Sequence, residues 1–298
     1  MIKTSKTREA VQGYGFMLPT LIILGLFTIF PIGYAVFLSF TRVNLFGGMS
    51  FEWVSWRNYE IAFQDEALRN ALGNTIRYVA FVVPIQTVVA LVMAYVLNSG
   101  IKFQKTFRTI FFLPTLTSSA ALTMIFMFLF SISGPVNGLL VNWGVLEAPI
   151  NFVQDTNFAL NTIMIMNIWS TVPFYMTIYL AGLQDIPNAL YEAASLDGAN
   201  AVQKLTKVTV PQLTPVTNFI LLMGIIGCFQ VFDQAYIVSG GTGGPNGATM
   251  TVALLIYRFA FQVIGTMGYA SALAILLTIL IFVVSFIARR VNKEEAYI

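Results

Sequence analysis

Apolar and polar positions alternate along this chain in long blocks rather than in a helical or strand period. Apolar runs fall at 14–40, 71–97, 106–130, 158–183, 214–238 and 266–288, with short polar segments between them. A helix of about 20 apolar residues crosses a hydrocarbon core roughly 30 Å thick. Lipid offers the backbone no outside hydrogen-bond partner, so each run must satisfy its own amides as a helix. The pattern therefore predicts an all-α polytopic membrane protein with about six transmembrane helices, forming a single domain over 1–298.

Two segments fit neither a span nor a plain loop. Residues 51–59 carry Trp53, Trp56 and Tyr59 at helical spacing, which suits an interfacial helix at headgroup depth. Residues 249–263 are apolar but short and include Arg258, so they read as a re-entrant or interfacial piece. The run Ser239-Gly240-Gly241-Thr242-Gly243-Gly244-Pro245 has the composition of a flexible turn.

The longest polar stretch near the middle of the chain is YEAASLDGANAVQKLTKVTVPQLTP, beginning at Tyr191. A short helix can start at Asp185-Ile186-Pro187, because a first helical turn tolerates proline. It continues through Ala189, Leu190, Glu192, Ala193, Ala194 and Leu196, and Gly198 can end it in a left-handed conformation. A second short helix can follow, until Pro211 and Pro215 restart the chain into the fifth span. The residues alone allow two uses: an amphipathic loop on the membrane surface, or a helix that docks a partner protein.

Composition narrows the chemistry. Hydrophobic residues make up 57% of the chain and charged ones 10%, against about 25% charged in soluble domains. There is no histidine and one cysteine, Cys228. Intrachain disulfides, His-ligated metal and His-based acid–base catalysis are excluded, and no catalytic or metal-ligating set is expected. No GxxxxGK[ST] phosphate loop occurs, so ATP has no cradle in this chain. The net charge of +3 needs no nucleic-acid partner, because the positions of the basic residues account for it.

Cytoplasmic loops retain Lys and Arg. With the amino terminus inside, Lys3, Lys6, Arg8, Lys102, Lys105, Arg108, Lys204, Lys207, Arg289, Arg290 and Lys293 are cytoplasmic, and Arg42, Arg57, Arg69, Arg77 and Arg258 lie outside or near the outer edge. Both termini and the 184–213 loop are then cytoplasmic. The first run, behind Lys3, Lys6 and Arg8, reads as an uncleaved signal-anchor.

Within the spans, Asn167, Ser170, Thr171 and Phe174 recur at helical spacing and share one face. That face can hydrogen-bond other helices, or line a path where hydroxyl-rich solutes meet polar groups and an aromatic platform. Gln230, Asp233 and Gln234 make a similar face on the fifth span. A carboxylate at the centre of a spanning helix costs about 2.5–3.5 kcal/mol. A watery vestibule or a partner such as Arg258 can relieve it near the outer end.

Glu192-Ala193-Ala194, then Asp197-Gly198-Ala199, then Pro211, after the fourth of six spans, resembles the EAA loop of permease subunits from bacterial binding-protein-dependent ABC importers. Gly134-Pro135-Val136-Asn137, Phe232-Asp233 with Gly243-Gly244-Pro245, and Gly268-Tyr269-Ala270-Ser271-Ala272 are similar to the carbohydrate-uptake branch, on its MalF- and UgpA-like side. Val202 and Leu205 depart from the larger aromatics of that loop.

The resemblance implies a bacterial plasma (inner) membrane protein and a cytoplasmic coupling helix, with Glu192, Ala193, Ala194, Asp197 and Gly198 facing an ATPase. It implies a second homologous permease, an ATPase dimer carrying ATP and Mg, and an extracellular solute-binding protein delivering a sugar or oligosaccharide. This chain needs no cofactor and is not an enzyme. Asn167 resembles a sugar-contacting position of a maltose permease in its spacing from the EAA loop; with the polar faces read above, the expected substrate path is Asn167, Ser170, Thr171, Phe174, Gln230 and Asp233. The alternatives are a non-sugar cargo such as a glycerol-phosphate ester, or an ion-coupled secondary transporter, which normally carries an ion site or internal repeats.

Overall fold

The computed structural model describes residues 2–44 and 50–291, with side chains over 9–44 and 50–290. The side chains of Lys3, Lys6 and Arg8, and Lys293 altogether, lie outside the described residues. In chain order the elements are α1 (Ile2–Leu24), a π-helical turn, α2 (Phe30–Ser39), β1 (Thr41–Asn44), β2 (Ser50–Trp53), α3 (Arg57–Gln64), α4 (Glu66–Asn98), α5 (Gln104–Leu116) and α6 (Ser119–Leu129). There follow α7 (Pro135–Asn142), α8 (Ala159–Gln184), α9 (Asn188–Leu196), α10 (Ala201–Lys204), α11 (Val210–Gln212), α12 (Thr214–Phe229), α13 (Asp233–Ser239), α14 (Val252–Tyr257) and α15 (Met267–Val291).

Five described segments are long and apolar enough to cross a membrane: Glu9–Ser39, Glu66–Asn98, Ala159–Gln184, Thr214–Ser239 and Met267–Arg290. The third expected span, 106–130, is not one straight helix. It is the pair α5 and α6, bent by 98°, and counting that pair as one span gives six. Thr117 and Ser118 adopt extended backbone at the bend, and the Ser118 side chain caps the new helix by accepting from the Ala121 amide. The fifth span is interrupted too, between α12 and α13 at residues 230–232.

The chain divides into two compact units, Met1–Asp65 with Ile256–Leu276, and Glu66–Leu255 with Leu277–Ile298. In the first, the segment expected to be an interfacial helix over 51–59 is instead part strand. Thr41 pairs with Trp53 and Asn44 with Ser50 in an antiparallel hairpin, and helix begins only at Arg57. Aromatic packing decides the difference: Trp53 stacks on Phe40, and Trp56 and Tyr59 close on the same ring. Cross-strand and aromatic contacts outweigh a helical spacing over so few residues. Buried Asn58 secures the hairpin by donating to the Ser39 and Thr41 carbonyls at 2.9 and 3.0 Å.

In the second unit α4 packs along α8, with α12 against both. Ala90 and Ala94 on α4 are fully buried against Met176, Tyr179 and Leu180 of α8, with Ile220 of α12 in the same cluster. Lipid tails are as apolar as leucine, so close packing across small residues, rather than escape from water, holds such helices together. The glycine-rich turn after α13, flexible by composition, is anchored on α4. Asn74 donates to the Gly247 and Met250 carbonyls at 2.8 and 3.0 Å, and Thr75 Oγ1 accepts from the Val252 amide at 3.1 Å.

Candidate functional site

The segment between α8 and α12 is a braced helix. Pro187 sits just before the first turn, with extended ψ of 129°, rather than inside it. At the other end Gly198 has φ +75°. The Gly198 amide donates to the Ser195 carbonyl at 3.1 Å and the Ala199 amide to the Ala194 carbonyl at 2.9 Å, a Schellman closure. A Cβ at Gly198 would meet nothing within 4 Å, so backbone conformation rather than space requires glycine there.

α9 is held against the returning chain by side chains that sequence reasoning missed. The Tyr191 hydroxyl lies 3.0 Å from Thr209 Oγ1, and Thr209, fully buried, donates onward to the Lys204 carbonyl. Tyr191 is thus the donor of the pair. Lys204 Nζ donates to Ser195 Oγ at 2.8 Å. Asn200 and Gln203 form a reciprocal capping box that starts α10. The aromatic part of Tyr191 rests on the buried α4–α8 cluster, so α9 is fixed to the spans themselves.

The outward side carries Glu192, Ala193, Asp197 and Gly198, all exposed, while Ala194 is half-buried. Leu196 is 90% exposed and Val202 68%. α9 thus exposes an anionic group, small side chains and an open leucine, and α10 an open valine. Polarity of the stretch hid Leu196, which sequence reading treated only as a helix former.

The expected α8 stripe resolves into two parts. Asn167, Ser170 and Thr171 are half-buried and Phe174 is exposed. Thr171 Oγ1 lies 2.8 Å from Gln86 Oε1 of α4 and 2.9 Å from the Asn167 carbonyl, so its one proton is shared between helix and neighbour. Ser170 Oγ folds back to the Asn167 carbonyl at 2.9 Å. The Asn167 Oδ1 atom is buried without a hydrogen-bond partner among the described residues, and so is Gln86 Nε2. Asn167 Oδ1 is thus an acceptor, and Gln86 Nε2 a donor, that the neighbouring side chains leave unused. Gln86 was missed, although a glutamine in an apolar run is visible as a polar outlier. Gly224 of α12 makes room for it, since a Cβ there would stand 2.6 Å from Gln86 Nε2.

Gln230, Asp233 and Gln234 do not share one regular helix face, which corrects the expectation for the fifth span. Gln230 caps α12, and Asp233 begins α13 after the break. Thr251 holds the break, donating to the Val231 carbonyl at 2.8 Å. Exposed Asp233 stands in the first turn of α13, where backbone amides favour an anion.

The family model of the binding-protein-dependent transport system inner membrane component matches residues 86–295. The probable ABC transporter permease protein YesP of Bacillus subtilis (strain 168) is 36% identical over 282 residues, covering 94% of this chain and 90% of YesP. The lactose transport system permease protein LacF of Rhizobium radiobacter is 32% identical over 286 residues, covering 96% and 95% of the two chains. In fold, the chain is similar to the solved structure of a bacterial alginate ABC transporter in complex with an alginate pentasaccharide-bound periplasmic protein. The TM-score is 0.81 at 22% identity, over 97% of this chain and 98% of that one. The match extends from the Gln86 node through α9 and α15, and the chain belongs to the family of inner-membrane components of binding-protein-dependent transport systems.

Proposed function

We propose that this ABC importer permease translocates a sugar or oligosaccharide, with α9 as the lever that couples it to ATP hydrolysis. The observation that carries the reading is the braced, outward-facing α9 between the fourth and fifth spans. Its Schellman end and its Tyr191 and Lys204 hydrogen bonds make it move with α8 and α12 as a body. Glu192, Ala193, Ala194, Asp197 and Gly198 form the coupling surface, extended by Leu196.

The partners are a second homologous permease, two ATPase subunits holding ATP and Mg, and an extracellular solute-binding protein that delivers the cargo. Both termini and the 184–213 loop are cytoplasmic, in line with the basic residues. The lactose-permease relative and the spare polar groups at Asn167 and Gln86 support a hydroxyl-rich cargo. Asn167, Ser170, Thr171 and Phe174 line the path, with Gln86 orienting Thr171. Gln230 and Asp233 stand toward its outer end.

A pull-down of this chain from its native membrane in mild detergent, with mass spectrometry of what accompanies it, tests the assembly. An ATPase, a second permease and a solute-binding protein are expected. A chain that purifies alone and moves solute under an ion gradient would overturn the reading in favour of a secondary transporter.

A further inference from the structure

An open groove of about 520 Å³ lies between α4, α5 and α8, within one compact unit. Its walls are apolar throughout, formed by residues such as Val89 on α4, Ile110 and Phe111 on α5, and Ile165, Trp169 and Val172 on α8. At about 100° per residue, Ile165, Trp169 and Val172 occupy the face of α8 opposite to Asn167, Thr171 and Phe174. The groove therefore faces away from the polar stripe. Its volume falls within the roughly 300–1,000 Å³ typical of ligand pockets.

Beyond the groove, α5 leads back to two basic residues. On α5 the apolar wall continues toward the helix start through Phe107, whose ring stacks on Phe111 at 6.0 Å. Arg108 stands one turn before Phe111, on the same side of the helix. Its Nε is buried with no hydrogen-bond partner among the described residues. Exposed Lys105 lies one turn earlier still. α5 starts without a side-chain cap and with no acidic residue in its first turn, so the amides there also favour an anion.

We propose that this groove seats one anionic phospholipid, with an acyl chain along the apolar walls and the phosphate at Arg108, Lys105 and the start of α5. An acyl chain satisfies the walls, and a phosphate pairs with the half-buried Arg108 and the exposed Lys105. Basic sites between membrane helices recognise anionic headgroups in this way. α5 is the first half of the bent third span, joined to α8 by a long Thr115–Ser170 hydrogen bond of 3.4 Å. A lipid wedged there ties that half-span to α4 and α8.

Trp169 in the groove wall supplies the readout. The importer complex is reconstituted into phosphatidylcholine vesicles containing brominated phosphatidylglycerol or, separately, brominated phosphatidylcholine at equal mole fraction. Subtracting a Trp169→Phe complex isolates quenching of that one indole. Phosphatidylglycerol is expected to occupy the groove about fivefold more than phosphatidylcholine, and Arg108→Gln to remove most of that preference. Equal quenching by the two lipids would show an unselective lipid-facing surface, and no quenching by either would show a groove filled by protein; each overturns the proposal. A preference that survives both Arg108→Gln and Lys105→Gln overturns it as well.

Discussion

At Gly198 one backbone angle decides where α9 ends. Replacing it with valine forces a left-handed conformation costing about 1–2 kcal/mol, with no steric conflict to add. Gly198→Val should loosen the end of α9 and lower the amount of ATPase that copurifies, with the rest of the fold intact by circular dichroism. Gly198→Asn, which tolerates this conformation better, should retain more of it. Asn167→Leu removes a buried acceptor from the proposed path. Uptake should fall roughly threefold to tenfold, the worth of one hydrogen bond, and transport kinetics in vesicles with assembly monitored separately check this. Unchanged kinetics would reduce Asn167 to a packing residue.

Elements show which parts of the site the sequence could carry. The end of α9 and the left-handed Gly198 were legible because capping and turn chemistry are local, written in Ala and Gly at fixed offsets. Its bracing was not: Tyr191 and Thr209 are 18 residues apart, and a hydroxyl pair at that separation leaves no periodic trace. Tyr191→Phe deletes that bond alone, and coupled uptake should fall more than ATPase binding does, as measured in reconstituted complexes.

The same reasoning applies to Gln86, which meets Thr171 across 85 positions and Gly224 from a third helix. Gly224→Ala should destabilise the detergent-solubilised protein by about 1–3 kcal/mol through overpacking. Gln86→Ala in the same chain should recover much of that loss, and thermal unfolding of the single and double variants checks the coupling. The third and fifth spans read as continuous because hydropathy reports immersion and is blind to the extended pair at Thr117 and Ser118. The hairpin at Thr41 was hidden by tryptophans whose spacing fits a helix equally well.

On the scale of the whole molecule, six apolar runs, a histidine-free composition and one polar stretch after the fourth run left few functions open. The proposed path was the less legible part, since Gln86 and Thr171 meet from different helices. The central claim is that α9 touches an ATPase and transmits its movement. Cys228 is buried, so a cysteine introduced at exposed Ala193 supplies the accessible thiol in this chain. The most direct measurement is crosslinking of Ala193→Cys in native membranes, with mass spectrometric identification of the product. The account predicts a crosslink to an ATPase subunit whose yield changes when ATP is added. An assembled complex in which Ala193→Cys reacts freely with a soluble maleimide but never crosslinks to an ATPase would contradict it.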